Sequence, residues 1–220
     1  TSVSKSDYVC RLHDDVFVFY SKFINKDTMH KKFELVKHIV DSVGIHYDIT
    51  ISLAQGAVIF NVNDGLDYQA LIDRAIEAKK FSKDNDIHRL VIYDNKVHEQ
   101  SIIRQNIEAK MESALKNKEF EVYLQPCYEL KTNTISSFEA LVRWNTNDGV
   151  MSPGDFIPLF EKNGFIVKMD FYVYEVVCQT LARWNNDGHP LRRISVNVSR
   201  CHINDKDFVI KLNALLNKYN

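Results

Sequence analysis

The chain has 220 residues, 45% hydrophobic and 26% charged, with a formal net charge of −1; this is ordinary globular composition, enough for one large or two small domains. Near-zero charge without basic clusters argues against duplex nucleic acid as a partner. No apolar run reaches the roughly eighteen residues of a membrane span, and TSVSKSDYV at the start is no signal peptide. Cys10, Cys127, Cys178 and Cys201 are widely spaced with no CxxC pair. That spacing favours thiols over disulfides or a metal knot, with Cys178 buried on a helix, and fits a reducing cytoplasm. A membrane-anchored sensor ahead of Thr1 is left open.

In chain order, YVCRLHDDVFVFY at 8–20 reads as strand, tight turn, strand, with His13-Asp14 in the turn. Thr28 is the expected cap of a helix running to about Val43. Phe33, Val36, Ile39, Val40 and Val43 form its stripe, and Gly44 is its expected stop. DITISLA at 48–54 alternates as a strand, Asp67 to Phe81 as an amphipathic helix on Leu71, Ala75, Ala78 and Phe81, and His88 to Tyr93 as a closing strand. Asp94-Asn95 opens a connector. From Glu99 to Lys116, Ile103, Ile107, Met111 and Leu115 recur every fourth residue, which predicts a linker helix with one apolar stripe.

Three strands of a different kind follow. EVYLQP at 121–126 sets Glu121, Tyr123 and Gln125 against Val122 and Leu124. ISSFEALVRW at 135–144 sets Ser137, Glu139, Leu141 and Arg143 against Ser136, Phe138, Ala140, Val142 and Trp144. ISVNVS at 194–199 sets Ser195, Asn197 and Ser199 against Ile194, Val196 and Val198. Each presents one apolar face and one polar face. Between them, Ser152-Pro153 starts a helix that Gly164 stops. A longer helix is expected from Asp170 to Trp184 on Phe171, Tyr174, Val177, Cys178, Leu181 and Trp184, with Gly188 beyond its end. Strand, helix, strand with single-sided helices suits an α/β barrel.

Gln125-Pro126, Glu139 to Arg143 (EALVR), SPGDFIPLFEKNGFI at 152–166 and Val196 to Ser199 (VNVS) together resemble, in order, the motifs of the EAL domain. That family comprises bacterial cyclic di-GMP phosphodiesterases on a (βα)8, or TIM-type, barrel. The resemblance covers roughly residues 107–220, about the first half of such a domain. It implies divalent Mg2+ or Mn2+ held by Glu139 and Asn197, with Gln125, Leu141 and Arg143 binding substrate and Gln125 meeting the substrate or the water. Hard cations on carboxylate and amide oxygens suit phosphodiester chemistry, and Arg143 offers a forked contact to a phosphate. The competing structural reading pairs Glu139 with Arg143 inside the barrel. Ser199 reads as a turn or cap residue, having no evident histidine partner.

The segment before it resembles the later portion of a GGDEF domain, the diguanylate cyclase family, through RLHDDVF, ITISLAQG and LIDRAIEAKKFSK. The resemblance puts His13 and Asp14 where that family has its turn glycines and Val16 at its metal-binding glutamate; Asp15 and Phe17 remain. Ser4 stands where its inhibitory product site needs arginine. These departures argue against cyclase activity and for a structural or regulatory role.

The expected fold class is therefore α/β: a partial GGDEF-type α+β sheet domain at 1–95, a linker helix at 96–118, and the first half of an EAL-type barrel at 119–220. The expected function is hydrolysis of cyclic di-GMP to linear pGpG. The alternatives are a catalytically silent cyclic di-GMP receptor and a purely structural interaction module. A homodimer is compatible with the sequence. Since the family also needs carboxylates and a lysine from later strands, residues 1–220 alone are expected to be inactive. The natural protein is expected either to continue past Asn220 or to take its missing surface from another chain. In that half-barrel, helix should cover Val196 and Val198, while Ile203, Phe208, Ile210, Leu212 and Leu215 should lack partners.

Overall fold

The computed structural model describes residues 7–22, 25–65, 67–84 and 90–219. The chain divides into two compact units, Thr1–Ile103 and Arg104–Asn220. Ser4 and His88 lie outside the described residues.

The first unit opens with a hairpin of β1 (Tyr8–His13) and β2 (Val16–Tyr20), antiparallel, in which His13 pairs with Val16. The turn is therefore Asp14-Asp15, one residue later than expected. Asp14 takes the left-handed conformation at φ 37°, and Arg11 Nε donates to its carbonyl at 2.6 Å.

Helix α1 (Lys26–Tyr47) differs from expectation at both ends. Asn25 caps it, its side chain accepting from the Thr28 amide at 2.9 Å, so Thr28 lies inside the first turn. Gly44 does not stop it. The helix continues to a left-handed Asp48, and the Gly44 carbonyl accepts from Ile49 N at 2.9 Å. A Cβ on Gly44 would lie 2.7 Å from the Ile49 carbonyl oxygen, so the glycine serves a close return of chain rather than a helix end. Most of the expected stripe is not buried: Val36, Ile39 and Val43 are exposed, while Met29 and Gly44 are covered.

The expected strand at 48–54 does not form. Pairing is confined to β3 (Gly56–Ala57) and β4 (Val91–Ile92), two residues each and parallel. Alternation makes a segment fit for a sheet, but a ladder forms only where a neighbouring backbone offers its groups. Here Tyr93 N reaches the Ala57 carbonyl at 2.7 Å and Val91 N reaches Gln55 at 3.1 Å. Helix α2 (Tyr68–Asp84) joins them and buries Leu71 and Ala78 as expected. Gly56 lies against its backbone: a Cβ there would fall 2.1 Å from Lys79 N and 2.3 Å from the Ala75 carbonyl.

Helix α3 (Asn95–Lys116) starts earlier than expected because Asp94 Oδ1 accepts from Val97 N at 2.8 Å. The division between the units falls within it. Of the expected stripe, Ile103 is exposed, whereas Ile107 is buried and Met111 and Leu115 pack against the second unit's core.

In the second unit β5 (Phe120–Glu129) and β6 (Thr134–Thr146) form a long antiparallel hairpin. The short β7 (Gly149–Met151) folds back on the end of β6, Trp144 facing Met151. Helices α4 (Pro153–Asn163) and α5 (Ile166–Asn186) then lead to β8 (Arg193–Val196), which pairs in parallel with β6 from Ser137 to Ala140. Because β5 occupies one edge of β6, β7 and β8 share the other. The alternation read from the sequence holds: Ala140 and Trp144 are buried on the inner face, where Phe120, Phe156 and Phe160 close the core. Rings 4.8–6.0 Å apart give this cluster tilted and edge contacts.

Gly164 stops α4 at φ 80° as expected. Helix α5 begins four residues before Asp170, which makes Asp170 a buried residue of its second turn rather than its start. The strand expected to reach Ser199 ends at Val196, and Val198 is 55% exposed instead of covered. Helix α6 (Phe208–Tyr219) packs on α5. Ile203, Val209 and Ile210 are exposed, whereas Phe208, Leu212 and Leu215 are half-buried.

Candidate functional site

The polar faces of β5, β6 and β8 meet in register. Gln125 stands opposite Glu139 across the antiparallel pair, and Glu139 stands beside Ser195 across the parallel one. One row of the sheet thus carries an amide, a carboxylate and a hydroxyl from three strands. Tyr123 faces Leu141 in the next row, and Glu121 faces Arg143 in the one after. Gln125 is exposed, while Glu139, Leu141 and Arg143 are half-buried.

Asn197 lies just past β8, at the next outward-facing position after Ser195. Its Nδ2 donates to Glu139 Oε1 at 3.1 Å. Two side chains 58 residues apart in sequence are thereby brought into contact. Arg143 is not Glu139's partner, contrary to the structural reading of the sequence. Four residues along one strand separate the two by about 13 Å, and the Arg143 guanidinium instead donates to the Val142 carbonyl at 2.9 Å.

Residues 108–220 match the family model described as the EAL domain. The chain belongs to the EAL domain family. It is 26% identical to the signaling protein YkoW of Bacillus subtilis over 99% of its own length and 28% of that protein's. To the bifunctional diguanylate cyclase/cyclic di-GMP phosphodiesterase MucR of Pseudomonas aeruginosa it is 26% identical over 90% of its length and 29% of MucR's. The chain thus spans less than a third of these curated relatives. Among solved structures, the S helix-GGDEF-EAL portion of Vibrio cholerae LapD matches 99% of this chain and 50% of its own, at a TM-score of 0.52 and 17% identity. That likeness is one of fold.

Within the EAL unit, a divalent metal can be tested against the donors present. Glu139 and Asn197 offer a carboxylate and an amide oxygen, the hard donors that Mg2+ and Mn2+ prefer. The hydrogen bond from the Asn197 amide nitrogen to Glu139 brings the two side chains together on the polar face of the sheet. Among the described residues no group of three His, Cys, Asp or Glu side chains converges on a metal position. The pair therefore fits as part of a coordination shell, the rest of which would come from other ligands.

A second group of residues, whose association the sequence did not show, underlies Asn197. Ser199 caps a short 3-10 turn (Arg200–His202), accepting from Cys201 N, as its cap reading expected, and donating to Glu161 Oε1 at 2.7 Å. Asp170 Oδ2 accepts from Ser199 N at 3.1 Å and from His202 Nε2 at 2.9 Å. Burial pushes the Asp170 carboxyl above the usual aspartate range, against the opposing pull of the Ser199 amide and of His202. Tyr174 Oη donates to the Asn197 carbonyl at 3.3 Å, and burial raises that phenol well above its ordinary value. The available signal was the position of Asp170, one helical turn before Tyr174 on the stripe already read as buried.

The β1–β2 hairpin offers no comparable site. Val16 is a half-buried strand residue without a ligating atom, Phe17 is 63% exposed, and His13 Nδ1 lies 3.3 Å from Asp14 Oδ2. Cys178 is buried as expected, and Cys10, Cys127 and Cys201 are exposed free thiols. Among the described residues no helix is long and apolar enough to cross a membrane.

Proposed function

We propose that this chain is part of a divalent-metal-dependent phosphodiesterase that hydrolyses cyclic di-GMP to linear pGpG. The Glu139–Asn197 contact, with Gln125 opposite Glu139 on the neighbouring strand, carries the reading. The names of two relatives point the same way: MucR and the cyclic di-GMP phosphodiesterase NbdA, the latter 25% identical over 87% of this chain.

In this reading Glu139 and Asn197 would hold Mg2+ or Mn2+, which when bound would neutralise phosphate charge and lower the pKa of water for attack. The chain's own residues bind and orient. Arg143, two strand repeats away on the same face, takes a second phosphate oxygen pair through its planar fork. Leu141 and Tyr123 supply an apolar surface between the two polar points, suited to a flat guanine base. Gln125, opposite Glu139, orients the substrate or the attacking water through its amide. The GGDEF-like unit acts structurally or as a regulatory element and makes no product, since Val16 offers no metal ligand and the His13-Asp14 pair crowds the phosphate approach that turn glycines would leave open.

The test is cyclic di-GMP hydrolysis by the full-length protein with Mg2+ or Mn2+, before and after Glu139→Ala. Cleavage should fall to the no-enzyme background. Wild-type turnover in the variant would overturn the assignment of Glu139. A wild-type protein that binds cyclic di-GMP without cleaving it would favour the silent receptor instead.

A further inference from the structure

Asn197 has no strand to hold it, because β8 ends one residue earlier. Its backbone is fixed from outside the sheet. Tyr174 Oη holds the Asn197 carbonyl, Asp170 holds the Ser199 amide, and Glu161 of α4 accepts from the Ser199 hydroxyl. Asp170 and Tyr174 are one turn apart on α5, so one helix face anchors the first and third residues of the segment that starts at Asn197. His202, the sixth, closes the loop back onto the same Asp170 oxygen.

This arrangement is built from buried groups. Asp170 is 8% exposed and His202 4%. A buried carboxylate is costly unless hydrogen-bonded, and here an amide and an imidazole N–H both donate to it. With Nε2 donating to Asp170, the buried Nδ1 of His202 has no hydrogen-bond partner among the described residues. Packing fixes the ring instead: Phe208 lies 4.4 Å away centroid to centroid, with Phe171 at 5.8 Å. Asp170 therefore receives its second donor from a ring that cannot turn away.

We propose that Asp170 and Tyr174 are positioning residues that hold the Asn197 amide against Glu139 and so set the divalent-metal affinity of the site. The proposal rests on Glu139 and Asn197 being metal ligands. It adds that the ligand geometry of the exposed face is maintained from the opposite side of the sheet by α5. Outer groups of this kind typically change metal affinity by about ten- to a hundredfold when removed.

The experiment titrates Mn2+ calorimetrically into the metal-free full-length protein, with KM and kcat for cyclic di-GMP measured alongside. The variants are Asp170→Ala, Tyr174→Phe, Asn197→Ala and each helix variant combined with Asn197→Ala. Asp170→Ala should weaken Mn2+ binding about tenfold or more, and Tyr174→Phe by a few-fold. Both losses should vanish in the Asn197→Ala background, because the residues act through Asn197. KM at saturating Mn2+ should be unchanged. Losses that add to that of Asn197→Ala, or helix variants with wild-type affinity, would overturn the positioning role while leaving the ligand assignment intact. Wild-type Mn2+ affinity in Asn197→Ala itself would overturn the ligand assignment. If Asp170→Ala does not fold, Tyr174→Phe, which removes only a hydroxyl, decides the comparison.

Discussion

The Asn197 amide and the Glu139 carboxylate meet at 3.1 Å, one from just past the end of β8 and one from the middle of β6. The parallel register makes this contact possible: Glu139 lies beside Ser195, and the next outward-facing position is Asn197. Shifting the pairing by one residue would turn Asn197 into the core and break the contact.

Arg143 should contribute to substrate binding rather than to metal binding. Arg143→Ala should raise KM for cyclic di-GMP about tenfold or more, from the loss of charge-assisted hydrogen bonds worth about 2 kcal/mol, while Mn2+ affinity stays unchanged. Arg143→Lys should recover only part of the loss, since a point charge cannot reproduce the planar fork. Steady-state kinetics over a range of substrate and Mn2+ concentrations separates the two effects.

The unit that carries the β1–β2 hairpin should form no cyclic di-GMP from GTP. Val16 has no ligating atom, and the turn carries side chains on Asp14 and Asp15 where close phosphate approach needs bare backbone. Incubation with GTP and Mg2+, followed by nucleotide chromatography, checks this. Product that disappears on Asp15→Ala would show that the hairpin retains cyclase chemistry.

Gly56→Val should destabilise the first unit by about 3 kcal/mol, the scale of severe overpacking. The added carbon would sit 2.1 Å from Lys79 N and 2.3 Å from the Ala75 carbonyl, both backbone atoms of α2 that no rotamer change can move. Urea unfolding should show a lower midpoint for this unit. Val150→Ala, at a position 63% exposed on β7, should leave the midpoint of the second unit within error.

Docking of α6 on α5 should weaken in acid. Lys218 Nζ and Tyr219 Oη both hydrogen-bond Glu175 Oε1, at 2.6 and 2.7 Å, and these contacts hold its carboxyl below the usual glutamate range, the Lys218 bond being the larger cause. A carboxylate with a lowered folded-state pKa contributes stability above its unfolded value of about 4.3 and loses it as pH falls through the folded value. Amide hydrogen exchange in α6, corrected for intrinsic rates, should therefore accelerate below about pH 4. Glu175→Gln should flatten that dependence, and an unchanged acid profile in the variant would remove Glu175 as its source.

Much of the EAL unit was legible in the residues themselves. Strict alternation in ISSFEALVRW assigned Ala140 and Trp144 to the core and Glu139 and Arg143 to the other face, because a pleated strand has only two sides. Pro153 and Gly164 bounded α4 through backbone constraints that act within a single turn. Local pattern failed where a distant backbone decided the outcome. DITISLA alternates, yet forms no strand; pairing occurs only beyond it, at Gly56-Ala57, where β4 is available. Gly44 reads as a helix stop but makes room for the carbonyl of Ile49.

Tertiary structure alone decided which polar residues act together. Sequence spacing placed Glu139 four residues from Arg143 and 58 from Asn197, and it is the distant residue that touches it. A strand carries its own residues apart by about 3.3 Å at each step, whereas a parallel neighbour brings a remote one alongside at about 4.8 Å. Asp170 and His202 are likewise ordinary letters in a helix and a loop. They become a buried pair only when α5 packs behind β8 and shields both from water.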